Sequence, residues 1–232
     1  MPAPLTVAIR PPEYFPGLPY CALMAQADVF VVADTFQYSR QSFQNRARLR
    51  TPQGRQWITI PLQAHQHGRP IRQVAIEHRE RWARSHGRAL AYNYRSSPYF
   101  EYFESTLASL LESAPPTLGP FTSQTVTFLH EAFGLSSQLI VASALVADAP
   151  TPGAGASLAD LLTRLDLPAD AVLLSPASAW RHDQGAVAPV SPFSFNSPTY
   201  RQVFEGFVPD LSALDLLFNE GPEARHLLLA TA

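Results

Sequence analysis

Arg46, Arg48 and Arg50 stand two residues apart at the close of DTFQYSRQSFQNRARLR (34–50), a run with four arginines and one acid, Asp34. On a strand, a period of two puts these three guanidinium groups on one face and Ala47 and Leu49 on the other. Like charges so placed repel one another unless they are solvated or paired. They make either a wet strand face that discourages edge-to-edge association or a surface whose forks grip phosphate or carboxylate. Asp34, Gln37, Asn45 and Arg46 would converge with such a surface at a strand end. Asp34 follows five apolar residues. It reads either as a cap for the next turn or as a ribose or amine contact or a general base with a shifted pKa.

Other chemistry-bearing residues are weaker leads. Cys21 could be a nucleophile with His86 or His78 as base, but its neighbours Leu23, Met24 and Ala25 suit an inert, buried thiol. His65 and His67 have a metal-ligand spacing without a third ligand nearby, so no metal is expected. No phosphate-binding glycine loop, dinucleotide fingerprint or nucleophile elbow occurs, and the sequence calls for no cofactor. Trp82, His86 and Tyr92 read as the packed face of a helix.

Thirteen arginines face five acids in residues 1–100, and four face fourteen in residues 101–232, with no lysine anywhere. Aromatics such as Phe36, Tyr38, Phe43 and Trp57 interleave with the arginines and could stack bases. The acidic second half, with no nucleic-acid motif, argues against that partner. An anionic small molecule is the expected ligand. Hydrophobic residues make up 46% of the chain against 16% charged, which suits a globular core. No apolar run approaches the ~20 residues of a membrane span. The N-terminus has no basic head or cleavage site, and the single cysteine cannot form an internal disulfide. The expectation is a cytoplasmic protein without a membrane partner; oligomeric state is left open.

The elements that would position these residues follow an α/β pattern. LTVAI (5–9) reads as a buried strand, a loop with four prolines follows, CALMAQA makes two helical turns, and DVFVVAD (28–34) is a strand covered on both faces. Such a βαβ unit pairs its strands in parallel, and ligands then gather at their carboxyl ends, here Arg10 and Asp34. NRARLR and RQWITIPL flank the turn TPQG as a hairpin. VAI (74–76) is a possible strand, and RERWARSHGRALAYNY a helix. Ser97-Pro98 would cap a helix running to about Glu112, and SQTVTFLHEAF another that stops at Gly134. Strand LIVASALV, helix LADLLTRL and strand AVLLS come next, separated by a small-residue loop. The end gives two short helices, the second opened by Pro222. The expected architecture is a single α/β domain over 1–232: a mostly parallel sheet flanked by helices, with a β-hairpin after the second strand. It holds a possible helical subregion at 79–134 and a loop-rich stretch at 176–198.

The run PPEYFPGLPYCALMAQADVFVVADTFQYSRQSFQNRARLRTPQGRQWITIPL (11–62) resembles the opening of the WbqC-like family. SPTYRQVFEGFVPDLSALDLLFNEGPE (197–223) resembles its ending, and WARSH and YRSSPYFEYF echo blocks between them. The resemblance covers about two thirds of the chain. It implies a role in assembling bacterial surface polysaccharide such as O-antigen. The corresponding expectation is a group transferase acting on a nucleotide sugar or related glycan precursor. It carries over Tyr14, Asp34, Gln37, Tyr38, Asn45, Arg46, His86, Tyr200 and Gln202. In that reading Asp34 or His86 is the base, Arg46 and Arg48 hold pyrophosphate, and Tyr14, Gln37, Tyr38, Asn45, Tyr200 and Gln202 bind or orient substrate. Where the family has His-Gln before its first Pro, this chain has Arg10-Pro11 or Pro11-Pro12. That departure leaves an alternative: a non-catalytic binding or scaffold protein of the same pathway with an eroded site.

Overall fold

The computed structural model describes residues 3–77, 81–146, 157–176 and 188–230. The expected loop at 147–156, residues 177–187 of the stretch at 176–198, and His78 lie outside them. Five parallel strands form one sheet: β1 (Thr6–Arg10), β2 (Val29–Val32), β5 (Gln138–Val141), β6 (Val172–Pro176) and β7 (Val190–Phe193), in the order β5-β2-β1-β6-β7. β3 (Arg46–Thr51) and β4 (Gly54–Thr59) form a separate antiparallel hairpin, with Arg48 opposite Trp57 and Arg50 opposite Arg55. The α/β architecture with a hairpin after the second strand is as expected from the sequence.

Alternation sorts the sheet residues between two cores. Ala8, Phe30 and Val32 face α1 (Leu18–Gln26), α2 (Trp82–Tyr94), α3 (Phe100–Glu112), α4 (Leu118–Ala132) and the C-terminal helices α7 (Ala213–Glu220) and α8 (Ala224–Ala230). Val7, Ile9, Val29 and Val31 face the short helix α5 (Ala142–Leu145) and α6 (Leu158–Arg164). Strands buried on both faces can be apolar at every position, which explains the unbroken apolar run of β2. The α6 start is held by a capping box between Ser157 and Asp160. Gly134, at φ +59, follows α4 as expected.

Several local expectations are corrected. LIVASALV is strand only to Val141 and then turns into α5. Residues 74–76 make isolated bridges to Leu62 and Thr117 rather than a ladder. Ser97 and Pro98 form a turn before α3, whose cap position is Tyr99. The loop-rich stretch contains β7, an edge strand that tolerates Pro192 because one side needs no amide donor. Tyr92 is 81% exposed and does not share the packed face of Trp82 and His86.

The sheet also has a topological switch. The chain steps from β1 outward through β2 to β5, then crosses over to place β6 on the other side of β1. The strand order therefore reverses between β1, whose next strand lies on one side, and β6, whose next strand lies on the other, and in such sheets ligands gather at the carboxyl ends of the strands at that point.

Arg50 joins the hairpin to the C-terminal segment. It is 2% exposed, and its guanidinium donates to Gln202 Oε1 (3.1 Å), to the carbonyls of Gly54, Glu205 and Gly206, and to that of Thr51. Replacing it by Met strands those acceptors. We expect Arg50→Met to lower unfolding free energy by about 2–4 kcal/mol, measured by urea titration; an unchanged midpoint would show that the network does not hold the fold.

Candidate functional site

At the switch point lies a cavity of about 540 Å³ whose lining includes Arg10 at the end of β1 and Pro176 at the end of β6. Three segments are sewn together around it by backbone hydrogen bonds. The proline-rich loop gives Tyr14 N–H to Phe43 O (3.0 Å), at the 3₁₀ turn before β3. The strap before α7 gives Ser212 N–H to Arg48 O (2.9 Å) and Ala213 N–H to Pro16 O (2.8 Å). Phe43 and Arg48 thereby reach the cavity from the hairpin, Glu13 and Tyr20 from the β1–α1 segment, and Asp210 and Leu211 from the strap. Prolines 11, 12 and 16 stiffen the loop that carries Glu13, so its carboxyl is held at low entropic cost.

The chemistry there is that of two arginines and a carboxyl able to carry a proton near neutrality, all lining one cavity. Burial pushes the Glu13 carboxyl up to about 7. Arg10 is buried, with Nη1 donating to Ile9 O at 2.8 Å. Arg48 lies over the rings of Trp57 (4.5 Å) and Phe43 (5.2 Å), and its buried Nε has no hydrogen-bond partner among the described residues. Burial, and then the neighbouring Arg55, lower the Arg48 pKa. A carboxylate already sits loosely at this point: Asp210, at φ +60, lies 3.9 Å from both Arg48 and Arg55. An exposed pair at that distance contributes little to stability and leaves Arg48 available to a better anion. Tyr20 donates to Pro11 O (3.1 Å), and burial raises its phenol well above the usual range.

The residues expected from sequence fall in several places. Arg48 lines the switch-point cavity. Arg46, Asn45 and Tyr38 line a second cavity, on the other side of the turn at Phe43–Asn45. Asp34 ends the β2 segment, but its Oδ1 accepts from Ser143 N–H (2.9 Å), capping α5; burial raises its pKa and that bond opposes the rise. His86 is buried against Trp82 and Tyr14, its Nδ1 2.9 Å from the Tyr14 hydroxyl. Burial lowers it to about 4, and a bond with the Thr59 backbone partly offsets this. The neutral tautomer that satisfies both has Nδ1 accepting from Tyr14. Neither Asp34 nor His86 lines the switch-point cavity. Gln37 is exposed and bridges to Pro70. Tyr200 donates to Asp215 (2.8 Å), and Gln202 spends both ends of its amide on Arg50, Val208 and Asp215. These two side chains build the wall behind the strap.

Glu13 and Asp210 are the residues sequence reasoning missed. Glu13 had a signal: a lone acid in an otherwise apolar, proline-stiffened loop immediately after the first strand. Asp210 had none, because its partners lie more than 150 residues away in the chain. Cys21 is buried and its thiol pKa is driven up, first by burial and then by Glu13. Among the described residues no three His, Cys, Asp or Glu side chains group so as to hold a metal, and no helix is long and apolar enough to cross a membrane.

Residues 11–227 match the WbqC-like protein family, and the chain belongs to that family. It is also similar to the uncharacterized protein Rv1507c of Mycobacterium tuberculosis (strain ATCC 25618 / H37Rv), with 32% identity over 233 residues covering 96% of each chain. No solved structure matches it.

Burial gives the wall a pH signature. Glu13 ionises near its usual 4.5 when unfolded and near 7 when folded, so its protonated form favours the fold below 4.5 and that contribution is lost as pH rises through 7. We expect Glu13→Gln to match the wild type near pH 4.5 and exceed its stability by about 2 kcal/mol above pH 8. Urea midpoints across that range check this; parallel curves would mean that the carboxyl is solvated. His86 works in the opposite sense, adding stability as pH rises from about 4 towards 6.5.

Proposed function

We propose that the switch-point cavity is the reaction site of a group transferase acting on an activated sugar or glycan precursor in bacterial surface polysaccharide assembly. The observation that carries the reading is the convergence of Arg10, Arg48 and Glu13 at the carboxyl ends of β1 and β6. A volume near 540 Å³ lies within the ~300–1,000 Å³ typical of small-molecule sites. The setting in surface polysaccharide comes from the family resemblance.

In this mechanism the acceptor's hydroxyl or amine attacks the transferred carbon. The acceptor's proton passes to the Glu13 carboxylate as the bond to the departing phosphate breaks. The electron pair of that bond leaves with the phosphate, whose growing charge is met by Arg10 and Arg48. Fixed guanidinium groups in a partly desolvated wall stabilise such charge without reorganising. A carboxyl titrating near 7 is divided between its two forms at neutral pH, as a general base requires. Asp210 would yield its place beside Arg48 to the ligand.

A second reading, a non-catalytic binding or scaffold protein, is favoured by one feature: Arg10 ends β1 near the place where relatives carry a histidine. The two readings separate on Glu13. For an enzyme, Glu13→Gln keeps ligand binding within about twofold and loses turnover by ~10²–10⁴-fold; for a scaffold, partner-coupled activity survives it. Binding of a panel of nucleotide sugars should weaken about 10–100-fold in Arg48→Gln, read by calorimetry. If no nucleotide sugar binds, or if Arg48→Gln binds as wild type does, the site is misassigned.

A further inference from the structure

A second cavity, of about 420 Å³, lies on the far side of the turn at Phe43–Asn45. Arg40, Arg46, His65 and His67 line it, with Tyr38 and Asn45 also in its lining. None of its fourteen lining residues is Asp or Glu, whereas the switch-point cavity contains Glu13 and Asp210. A wall with cations and no acid concentrates anions.

We infer that this cavity is a separate binding site for a phosphate-bearing small molecule, gripped by Arg40 and Arg46 with the two histidines of the same lining as further donors. Arg46 is braced for that task. Its Nε donates to Ser42 O (3.1 Å), its Nη2 to Gln41 O, and the guanidinium lies 4.2 Å from the Trp57 ring centre. Nη1 has no hydrogen bond among the described residues, so one edge of a rigid fork is left to a ligand. Arg40 is exposed, and no Asp or Glu shares the cavity lining with it.

The remaining walls are fixed as well. Tyr38 O–H donates to Asn45 Oδ1 (3.2 Å), and Asn45 Nδ2 donates to Ile60 O (3.0 Å). The loop bearing both histidines is folded around buried Gln66, which donates to Ala64 O (2.9 Å) and accepts from Ala75 N–H (3.0 Å). His65 is held at φ +60 within this loop, a conformation that costs about 1–3 kcal/mol unless its surroundings impose it. A phosphate group offers several oxygens to donors approaching from opposite sides; a monocarboxylate offers two.

As a phosphate site this cavity stands alone; as the place of the second, phosphorylated substrate of a transfer it rests on the reading of the switch-point cavity. Inorganic pyrophosphate is the probe, with acetate as the monocarboxylate control, followed in the full chain by calorimetry and by the imidazole C–H resonances of His65 and His67. Pyrophosphate should shift both resonances in the wild type and in Arg48→Gln, and acetate should shift neither at equal concentration. Arg40→Gln, an exposed change that leaves the bracing of Arg46 intact, should weaken this binding about tenfold. The inference is overturned if pyrophosphate leaves the two resonances unmoved, or if the response disappears in Arg48→Gln but persists in Arg40→Gln. In that last case the anion belongs to the switch-point cavity, whose assignment would survive while this one fails.

Discussion

A single buried cation, Arg50, makes the two halves of the chain depend on each other. An enclosed guanidinium is tolerated only when nearly every N–H finds an acceptor, and here most acceptors are carbonyls of the C-terminal segment together with the Gln202 amide. Gln202 passes the linkage on to Asp215, which also accepts from Tyr200 and which burial raises to about 6. Tyr94 completes the set by accepting from Arg50 N–H (2.8 Å), bringing in α2. Such networks are costly when broken at one member and rigid when complete. Rigidity here has a spatial consequence: the strap that follows, with Asp210 and Leu211, becomes a fixed wall of the switch-point cavity.

The same strand therefore sends its three arginines into three environments. Period two puts Arg46, Arg48 and Arg50 on one face of β3, as the sequence requires. What covers that face changes along its length: the C-terminal segment over Arg50, the switch-point cavity beside Arg48, and the turn of residues 41–42 against Arg46. Trp57, across the hairpin, lies beneath the guanidinium groups of Arg46 and Arg48. An aromatic face between two cations eases their mutual repulsion, so the two sites can stand close together without destabilising the hairpin.

How far the residues announced this arrangement depended on the range of the interactions. β1, α1, β2 and the hairpin were readable because each is set by its own apolar period and turn residues. α5 was not, because its formation after Val141 depends on Asp34, more than 100 residues earlier, supplying an acceptor to Ser143. β7 escaped notice because an edge strand with a proline carries little strand signal of its own and needs β6 to exist. Among candidate site residues, the arginines were found through charge spacing. Glu13 was overlooked because its property, a carboxyl whose pKa burial raises to about 7, belongs to the folded loop rather than to the residue. Tyr200 and Gln202 stood out in the family pattern, and the structure accounts for that prominence through the Arg50 network.

The lopsided charge of the chain also acquires a physical meaning. A basic first half and an acidic second half repel within themselves and attract each other, so folding brings Asp210 to Arg48 and Arg55, and Asp215 towards Arg50. Those acids serve two different ends. Asp215 is buried and accepts through Oδ2 from Tyr200 and Gln202, whereas Asp210 is a loose, solvent-exposed neighbour whose displacement costs little. Among the described residues Arg40 and Arg46 form no ion pair with an acid, and none lines the cavity beside them. Arg46 is braced by backbone carbonyls rather than neutralised, and Arg40 is exposed, so the positive charge of this cavity's lining is complemented by an anionic ligand better than by a neutral one.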